Sequence, residues 1–338
     1  MIVPIFLPHL GCTDRCIYCD QGYITNVTND DVRSTIGKSL NVNKDEFEVG
    51  LYGGNIFNVA PSLLETLFEY FEPYRGRIRN FRISTKPVPL REDVINILKT
   101  NKVSVIELGM PVFNNKILRK LNRQHTVDEF LKSFSILKDK GFEVAIQVMV
   151  GLPDESWSDI KNTSENIIKL KPCYIRIYPL AVIKGTPLST MHIDGAFVPI
   201  PFDEAIDRAA FLYLNALRHD IKTVKIGLTD NEVIKDNIIA GHYHPAFGYL
   251  VRSRVFYLGV KALLDKHTIK GNAIVHLNSR DIPHLVGQKR TNIECFQKAE
   301  INVSWQKTDI EKGCFVIEKG HSNFSGNIFD ALYALERL

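Results

Sequence analysis

Three cysteines, Cys12, Cys16 and Cys19, lie in the run PHLGCTDRCIYCDQ at C-x3-C-x2-C spacing. Thiolate sulfur is the soft ligand that iron-sulfur centres take, and three thiolates on one short loop can hold three corners of a cubane cluster. The fourth iron then lacks a protein ligand. An open coordination position distinguishes metal sites that do chemistry from those that only hold structure, so the spacing predicts a catalytic cluster. His9, three residues before Cys12, leaves a second arrangement open, because with the three cysteines it completes a closed Cys3His zinc set.

A disulfide framework fits poorly, with six cysteines spread over 338 residues. The opening apolar run, IVPIFLP, is short, carries prolines and has no positive n-region, which predicts no secretory leader and a reducing, cytoplasmic location. Cys173, Cys295 and Cys314 are scattered singly and are expected to be ordinary core residues. Length and composition predict one large domain plus a smaller one. No apolar run approaches the roughly 20 residues that span a bilayer, so no membrane partner is expected. The net charge of +4 is mild. It is uneven, however: from Phe247 to Lys298 the bases Arg252, Arg254, Lys261, Lys266, Lys270, Arg280, Lys289, Arg290 and Lys298 face only Asp265, Asp281 and Glu294.

The elements that must position the cysteines follow from periodicity. Strand-like runs occur at Ile2 to Leu7, Glu48 to Tyr52, Asn80 to Thr85, Ser104 to Leu108, Glu143 to Val150 and Tyr174 to Tyr178. Between them lie 3.6-period segments at Pro61 to Tyr70, Arg91 to Leu98, Val127 to Lys140 and Trp157 to Leu170. Six strands linked by crossovers predict an α/β fold, a parallel sheet curled into a partial (β/α)6 TIM-like barrel. Function in such a barrel collects where strand C-termini meet their loops. The cysteine loop follows the first strand. Gly53-Gly54-Asn55 ends the second, Ser84-Thr85-Lys86-Pro87 the third, Glu107-Leu108-Gly109 the fourth, Gly151-Leu152-Pro153 the fifth and Arg176-Ile177-Tyr178-Pro179 the sixth. Each alone reads as a turn or strand stop; together they describe the rim of one pocket.

With these residues in view, the chain resembles the radical S-adenosylmethionine enzymes from about Pro8 to about Leu188. It is most similar to the branch containing the catalytic subunit of Elongator and its short bacterial relatives. The segments that carry the resemblance are PHLGCTDRCIYCDQ, LYGGNIFN, FRISTKP, VIELGMPVFNNKILRKLNRQHTVDEF, VMVGLPDES and IRIYPLAVIKGTPL. The resemblance implies that Cys12, Cys16 and Cys19 ligate a 4Fe-4S cluster whose open iron chelates the methionine part of S-adenosylmethionine. It implies an adenine contact at Tyr18 and a grip on the methionyl amino group by the backbone of Gly53, Gly54 and Asn55. Glycine suits that task because a Cβ would block the approach. Ser84, Thr85 and Lys86 match the polar triplet for the methionyl carboxylate, and Gln147 and Arg176 are inward-facing candidates for ribose or carboxylate contacts. One electron from an external flavodoxin- or ferredoxin-like donor would cleave S-adenosylmethionine to methionine and a 5'-deoxyadenosyl radical.

There are departures from the family pattern. Pro111 and Val112 stand where many relatives have a Gln-Ser pair, Gln124 stands where relatives usually have glycine, and Asn55 where other branches carry glutamate or threonine. Nothing after Leu188 resembles the Elongator acetyltransferase module, so acetyl transfer is not implied.

The last third predicts a helix from Phe202 to Arg218 closing over the barrel, then His242 and His244 in a loop before a long helix. Two histidines at i, i+2 cannot share a helical face, which argues against a metal site there. NAIVHLNSRDIPHLVGQKRTNIECFQKAEINVSWQK reads as strand, helix, break at Gly287-Gln288-Lys289-Arg290, helix, and strand from Ile301 to Trp305. That order resembles a KH-type module, whose G-x-x-G loop clamps a single-stranded nucleic-acid backbone. Arg290 replaces the second glycine, making the loop degenerate, although Lys289 and Arg290 remain able to meet phosphates. The division expected is residues 1–230 for the radical core and 231–338 for the smaller α/β domain. Three functions follow: a radical enzyme on RNA, a radical enzyme on a small metabolite with that domain as lid, or a cluster-bearing binding protein without turnover.

Overall fold

The computed structural model describes residues 1–22, 32–41, 45–87, 89–229 and 232–338. The expected division at residue 230 falls on residues outside these. Seven parallel strands form the main sheet: β1 (Ile2–Phe6), β2 (Phe47–Tyr52), β3 (Ile78–Thr85), β4 (Val103–Gly109), β5 (Glu143–Val150), β6 (Tyr174–Pro179) and, after the short β7 (Ala181–Ile183), β8 (Lys222–Ile226). Their spatial order is β1-β2-β3-β4-β5-β6-β8, so β1 and β8 are the two edges of a curled half-barrel.

Six of these strands lie where alternation and turn residues predict them; β8 is an addition. Its sequence, KTVKI, alternates lysine with apolar or small residues, and only Ile226 is buried. An edge strand carries charge for good reason, since lysine discourages further pairing. The same charge hid it from a reading keyed to apolar runs. Its presence corrects the role expected for the helix Phe202–Arg218. That helix packs beside Trp157–Leu170 and against β6 and β8, and so serves as the crossover leading into β8, not as a cap over the barrel.

Two crossover helices, Val127–Asp139 and Trp157–Leu170, start where short polar side chains satisfy free N–H groups. Thr126 and Ser156 each form a reciprocal capping box, with Glu129 and Asp159 respectively; such caps contribute about 1 kcal/mol each. On the helix-covered side of the sheet, Phe81 receives Phe68 and Phe71 edge-on at 5.2 and 5.1 Å. These rings are fully or almost fully buried, and they anchor the wall from which the β2 and β3 loops project.

After β9 (Ile238–Gly241), which pairs with β7, the helix Phe247–Lys266 packs against the helix Phe202–Arg218 on one side and the turn Ile328–Ala331 on the other. Arg254 fixes it through Asp207, with bonds of 2.6 and 3.0 Å. The smaller sheet comprises β10 (Gly271–Leu277), β11 (Ile301–Lys307), β12 (Cys314–Lys319) and β13 (Ser322–Asn327), in the order β11-β10-β12-β13. The hairpin β12–β13 has no counterpart in the expected element string. Cys295 is exposed and Cys173 and Cys314 are part-exposed, which corrects their assignment to the core. Cys295 sits on the outer face of a short helix, and the other two lie at strand starts. Among the described residues no helix is long and apolar enough to cross a membrane.

Candidate active site at the strand ends

The cysteine loop is held by backbone rather than by side-chain packing. His9 N–H donates to Gly53 O at 2.8 Å and Asn55 N–H to Leu10 O at 2.7 Å, so the loops after β1 and β2 lie against each other. This contact explains the glycines. A Cβ on Gly54 would sit 2.6 Å from Leu10 O, and one on Gly11, at φ +72°, would sit 2.3 Å from Asn55 O. Gly54 therefore faces the cysteine loop itself, a reason additional to the ligand approach the sequence suggested.

From the other side, Ile17 N–H donates to Leu121 O at 3.2 Å, Asn122 reaches Arg15 O at 2.8 Å and Lys86 Nζ reaches Asp14 O at 2.9 Å. Arg123 places Nη1 3.5 Å from Cys16 Sγ and bonds Gly109 O through Nη2. In the sequence Arg123 is a lone arginine just past a helix end, a signal that means little until the fold brings it to Cys16.

All three cysteines line one cavity of about 560 Å³, together with Tyr18, Gly53, Gly54, Ser84, Thr85, Lys86, Gln147 and Arg176. The volume lies within the usual range for a small-molecule site. Asn55 is the one predicted contact that does not line it. Its side chain is buried behind the wall, where Oδ1 accepts from Thr85 Oγ1 at 2.9 Å and from Lys86 N–H at 3.4 Å. Asn55 thus positions the polar triplet. Pro111 also lines the cavity and gives the rim no polar side chain.

The six cysteines are free thiols. Burial raises the Cys12 pKa and pushes Cys19 up to about 12. Burial also opposes the Cys16 thiolate, but the charges of Arg123 and Lys86 and hydrogen bonds from Arg123 and Tyr18 outweigh it, and its pKa is lowered. Buried thiols of this kind ionise when a metal replaces their protons. Gln21 donates its backbone N–H to His9 Nε2 at 3.1 Å. Among the described residues no three His, Cys, Asp or Glu side chains are gathered around one metal-ion position. Three free thiols lining one cavity, with Lys86 and Arg123 beside them and a Gly54 that leaves no room for a Cβ against Leu10 O, are the donor set an iron-sulfur cluster takes.

Below the cysteines the concave face of the sheet is polar. Glu107, fully buried, is its hub. Arg176 Nη2 donates to Glu107 Oε1 at 3.0 Å and to Tyr52 Oη at 3.1 Å, while Arg176 Nε lies 2.7 Å from Oε2 as an ion-pair contact that is not aligned for hydrogen bonding. Tyr174 Oη donates to Oε1 at 2.7 Å and Gln147 Nε2 to Oε2 at 2.9 Å. Gln147 also reaches Ser84 Oγ at 3.1 Å. In the sequence Glu107 is a single glutamate in an apolar strand, VSVIELG, which is the signal for a paired interior charge.

Elsewhere, His242 is buried under the loop after β5, where a Cβ on Gly151 would meet its ring at 2.6 Å. The basic stretch is partly spent internally: Arg254 on Asp207, Lys261 on Asp265, Lys270 on Ala299 O, and Arg290 over the Trp305 ring at 5.7 Å. At the degenerate loop, a Cβ on Gly287 would collide with Thr291 and Asn292, so this glycine serves helix packing.

The chain matches the model of the Radical SAM superfamily over residues 6–167 and that of the radical SAM C-terminal domain over residues 172–256. It is 28% identical over 234 residues to a tRNA uridine(34) acetyltransferase of Methanocaldococcus jannaschii, covering 68% of this chain and 40% of that protein. An uncharacterised protein of the same organism is 26% identical over 197 residues, covering 57% of this chain and 60% of that one. The heme chaperone HemW of Lactococcus lactis is 28% identical over 178 residues, covering 50% and 46%. The matches thus span 40 to 60% of the length of these relatives. Among solved structures, Elp3 from Methanocaldococcus infernus shares the fold with a TM-score of 0.57 at 19% identity, covering 94% of this chain and 72% of that one. Coproporphyrinogen III oxidase from Escherichia coli does so with 0.51 at 12% identity, covering 99% and 74%.

Proposed function

Because the chain belongs to the radical S-adenosylmethionine superfamily, whose members use a 4Fe-4S cluster and S-adenosylmethionine, we propose that Cys12, Cys16 and Cys19 hold that cluster in an enzyme that modifies RNA. The observation that supports the cluster assignment most is that the three free thiols, Lys86, Gly53 and Gly54 line one cavity.

When bound, the cluster would supply one electron to S-adenosylmethionine, releasing methionine and a 5'-deoxyadenosyl radical that takes a hydrogen atom from the substrate. The chain's share is binding and exclusion. The backbone of Gly53 and Gly54 and the side chains of Ser84, Thr85 and Lys86 would hold the methionyl group, with Asn55 fixing the last two from behind. Tyr18 would meet the adenine, and Gln147 and Arg176 the ribose side. Thr13, Asp14 and Arg15 are exposed between the first two cysteines, which leaves a face for a flavodoxin- or ferredoxin-like donor. Free thiols suit a reducing cytoplasm. Residues 1–230 would form the radical core and 231–338 the degenerate KH-like docking domain, with Lys289 at its exposed turn.

RNA as substrate is supported by the tRNA-modifying relative and by the cations that internal pairing leaves over. Its test is anaerobic formation of 5'-deoxyadenosine by the reconstituted, reduced protein with and without cellular RNA. Stimulation by RNA, weakened in Lys289→Ala, is the expected result. Equal rates with and without RNA would transfer the reading to a small metabolite.

A further inference from the structure

The cations on the concave face of the sheet differ in their partners. Arg82 is matched by Glu48 and Arg176 by Glu107. Lys225, on the edge strand β8, also lines the cavity. In the strand register it stands directly beside Arg176. Among the described residues its ammonium has only the Thr229 hydroxyl, at 3.3 Å, and no carboxylate.

Like charges on paired positions repel, and Glu107 is already shared among Arg176, Tyr52, Tyr174 and Gln147. The arrangement thus places a half-buried cation, without a carboxylate partner among the described residues, beside the Arg176 guanidinium, which in turn acts on the Tyr178 hydroxyl. Burial and Arg176 both act against the charge of Lys225. An anion seated here would relieve both effects, since a partly buried charge is held best by a hydrogen-bonded counter-charge.

We propose that Lys225, with Thr229 and the Arg176–Tyr178 edge, forms a subsite for an anionic substituent of the substrate, a phosphate or a carboxylate. This deepens the functional reading above and rests on it for the identity of the cavity. It names a chemical requirement: the molecule attacked carries a negative group at the β8 side of the cavity. A phosphate would come from a nucleotide or RNA backbone, a carboxylate from a small acid.

The test is calorimetric titration of the reconstituted protein, unreduced and without turnover, with uridine 5'-monophosphate, uridine, citrate and inorganic phosphate at low salt. Wild type is expected to bind at least one of the anions and to bind uridine more weakly. Lys225→Met should weaken that binding by about tenfold or more, and Lys225→Arg should restore most of it. Lys222→Met, which removes an exposed lysine from the same strand, should leave it unchanged. A preference for uridine 5'-monophosphate or phosphate over citrate assigns the phosphate source, and the reverse assigns the acid. Anion affinity unchanged in Lys225→Met, or lost equally in Lys222→Met, overturns the subsite, as does wild type that binds none of the anions. Because cluster absorbance is read separately on the same samples, failure of the cluster reading shows itself independently of anion binding.

Discussion

Arg123 Nη1 stands 3.5 Å from Cys16 Sγ while Nη2 of the same guanidinium is bonded to the carbonyl of Gly109. A cation thus fixed to the end of β4 offsets negative charge on the cysteine loop. Removing one positive charge roughly 6 Å from a redox centre, at an effective dielectric of about 20, changes its energy by about 3 kcal/mol. Arg123→Met is therefore expected to make the cluster harder to reduce by on the order of 100 mV. Spectroscopically monitored redox titration checks this, and an unchanged midpoint would refute the coupling.

Gly54→Ala places a Cβ against the backbone carbonyl of Leu10. Neither partner is a flexible side-chain end, so the two loops must separate, at a cost of about 1–3 kcal/mol. Iron and sulfide content after reconstitution should fall, whereas Gly76→Ala, with open space around its Cβ, should match wild type. Equal iron loading in the two variants would show that the loop contact is not needed.

Glu107→Gln leaves the Arg176 guanidinium inside the barrel without its counter-charge. Breaking one side of a buried pair typically costs 3–5 kcal/mol, and a loss of about 3 kcal/mol is expected in urea unfolding. Arg176→Met, which strands the carboxylate instead, should be destabilised similarly. Losses under about 1 kcal/mol in both would contradict the hub role.

His242 donates Nε2–H to Ile200 O at 2.8 Å, and among the described residues its buried Nδ1 has no hydrogen-bond partner. Burial lowers its pKa, with Arg208 also acting against the charged form and backbone bonds and Glu204 opposing the shift. A histidine depressed in the folded state binds its proton more readily when unfolded, so its contribution is present above the unfolded pKa of about 6.5. It is lost as pH falls below that value, at up to about 1.4 kcal/mol per pH unit. Thermal unfolding between pH 7 and pH 5 should show a shallower acid loss in His242→Gln than in wild type; parallel curves would count against it.

Much of this architecture is written in local patterns. The strand ends carrying Gly53, Ser84 and Gly151 are legible because alternating apolar runs stop at glycine, proline or polar residues. The cysteine spacing needs no tertiary information. What stayed hidden depends on contacts between distant segments. Asn55 turned out to lie behind the wall because Thr85, thirty residues on, captures its side chain. The bases of the C-terminal stretch looked available until Asp207 and Trp305 were brought to Arg254 and Arg290. Lys225 could not be read at all, since its strand resembles a solvated loop until it pairs with β6.

In the proposed function Cys12, Cys16 and Cys19 carry a cluster that turns over S-adenosylmethionine. The most direct measurement compares anaerobically reconstituted wild type with Cys16→Ala, each reduced with dithionite and supplied with S-adenosylmethionine, by chromatographic quantitation of 5'-deoxyadenosine and methionine. Wild type should form both in equal amounts, and Cys16→Ala should form neither above the protein-free background. Equal yields from the two proteins, or no product from a wild type with full iron content, would contradict the account.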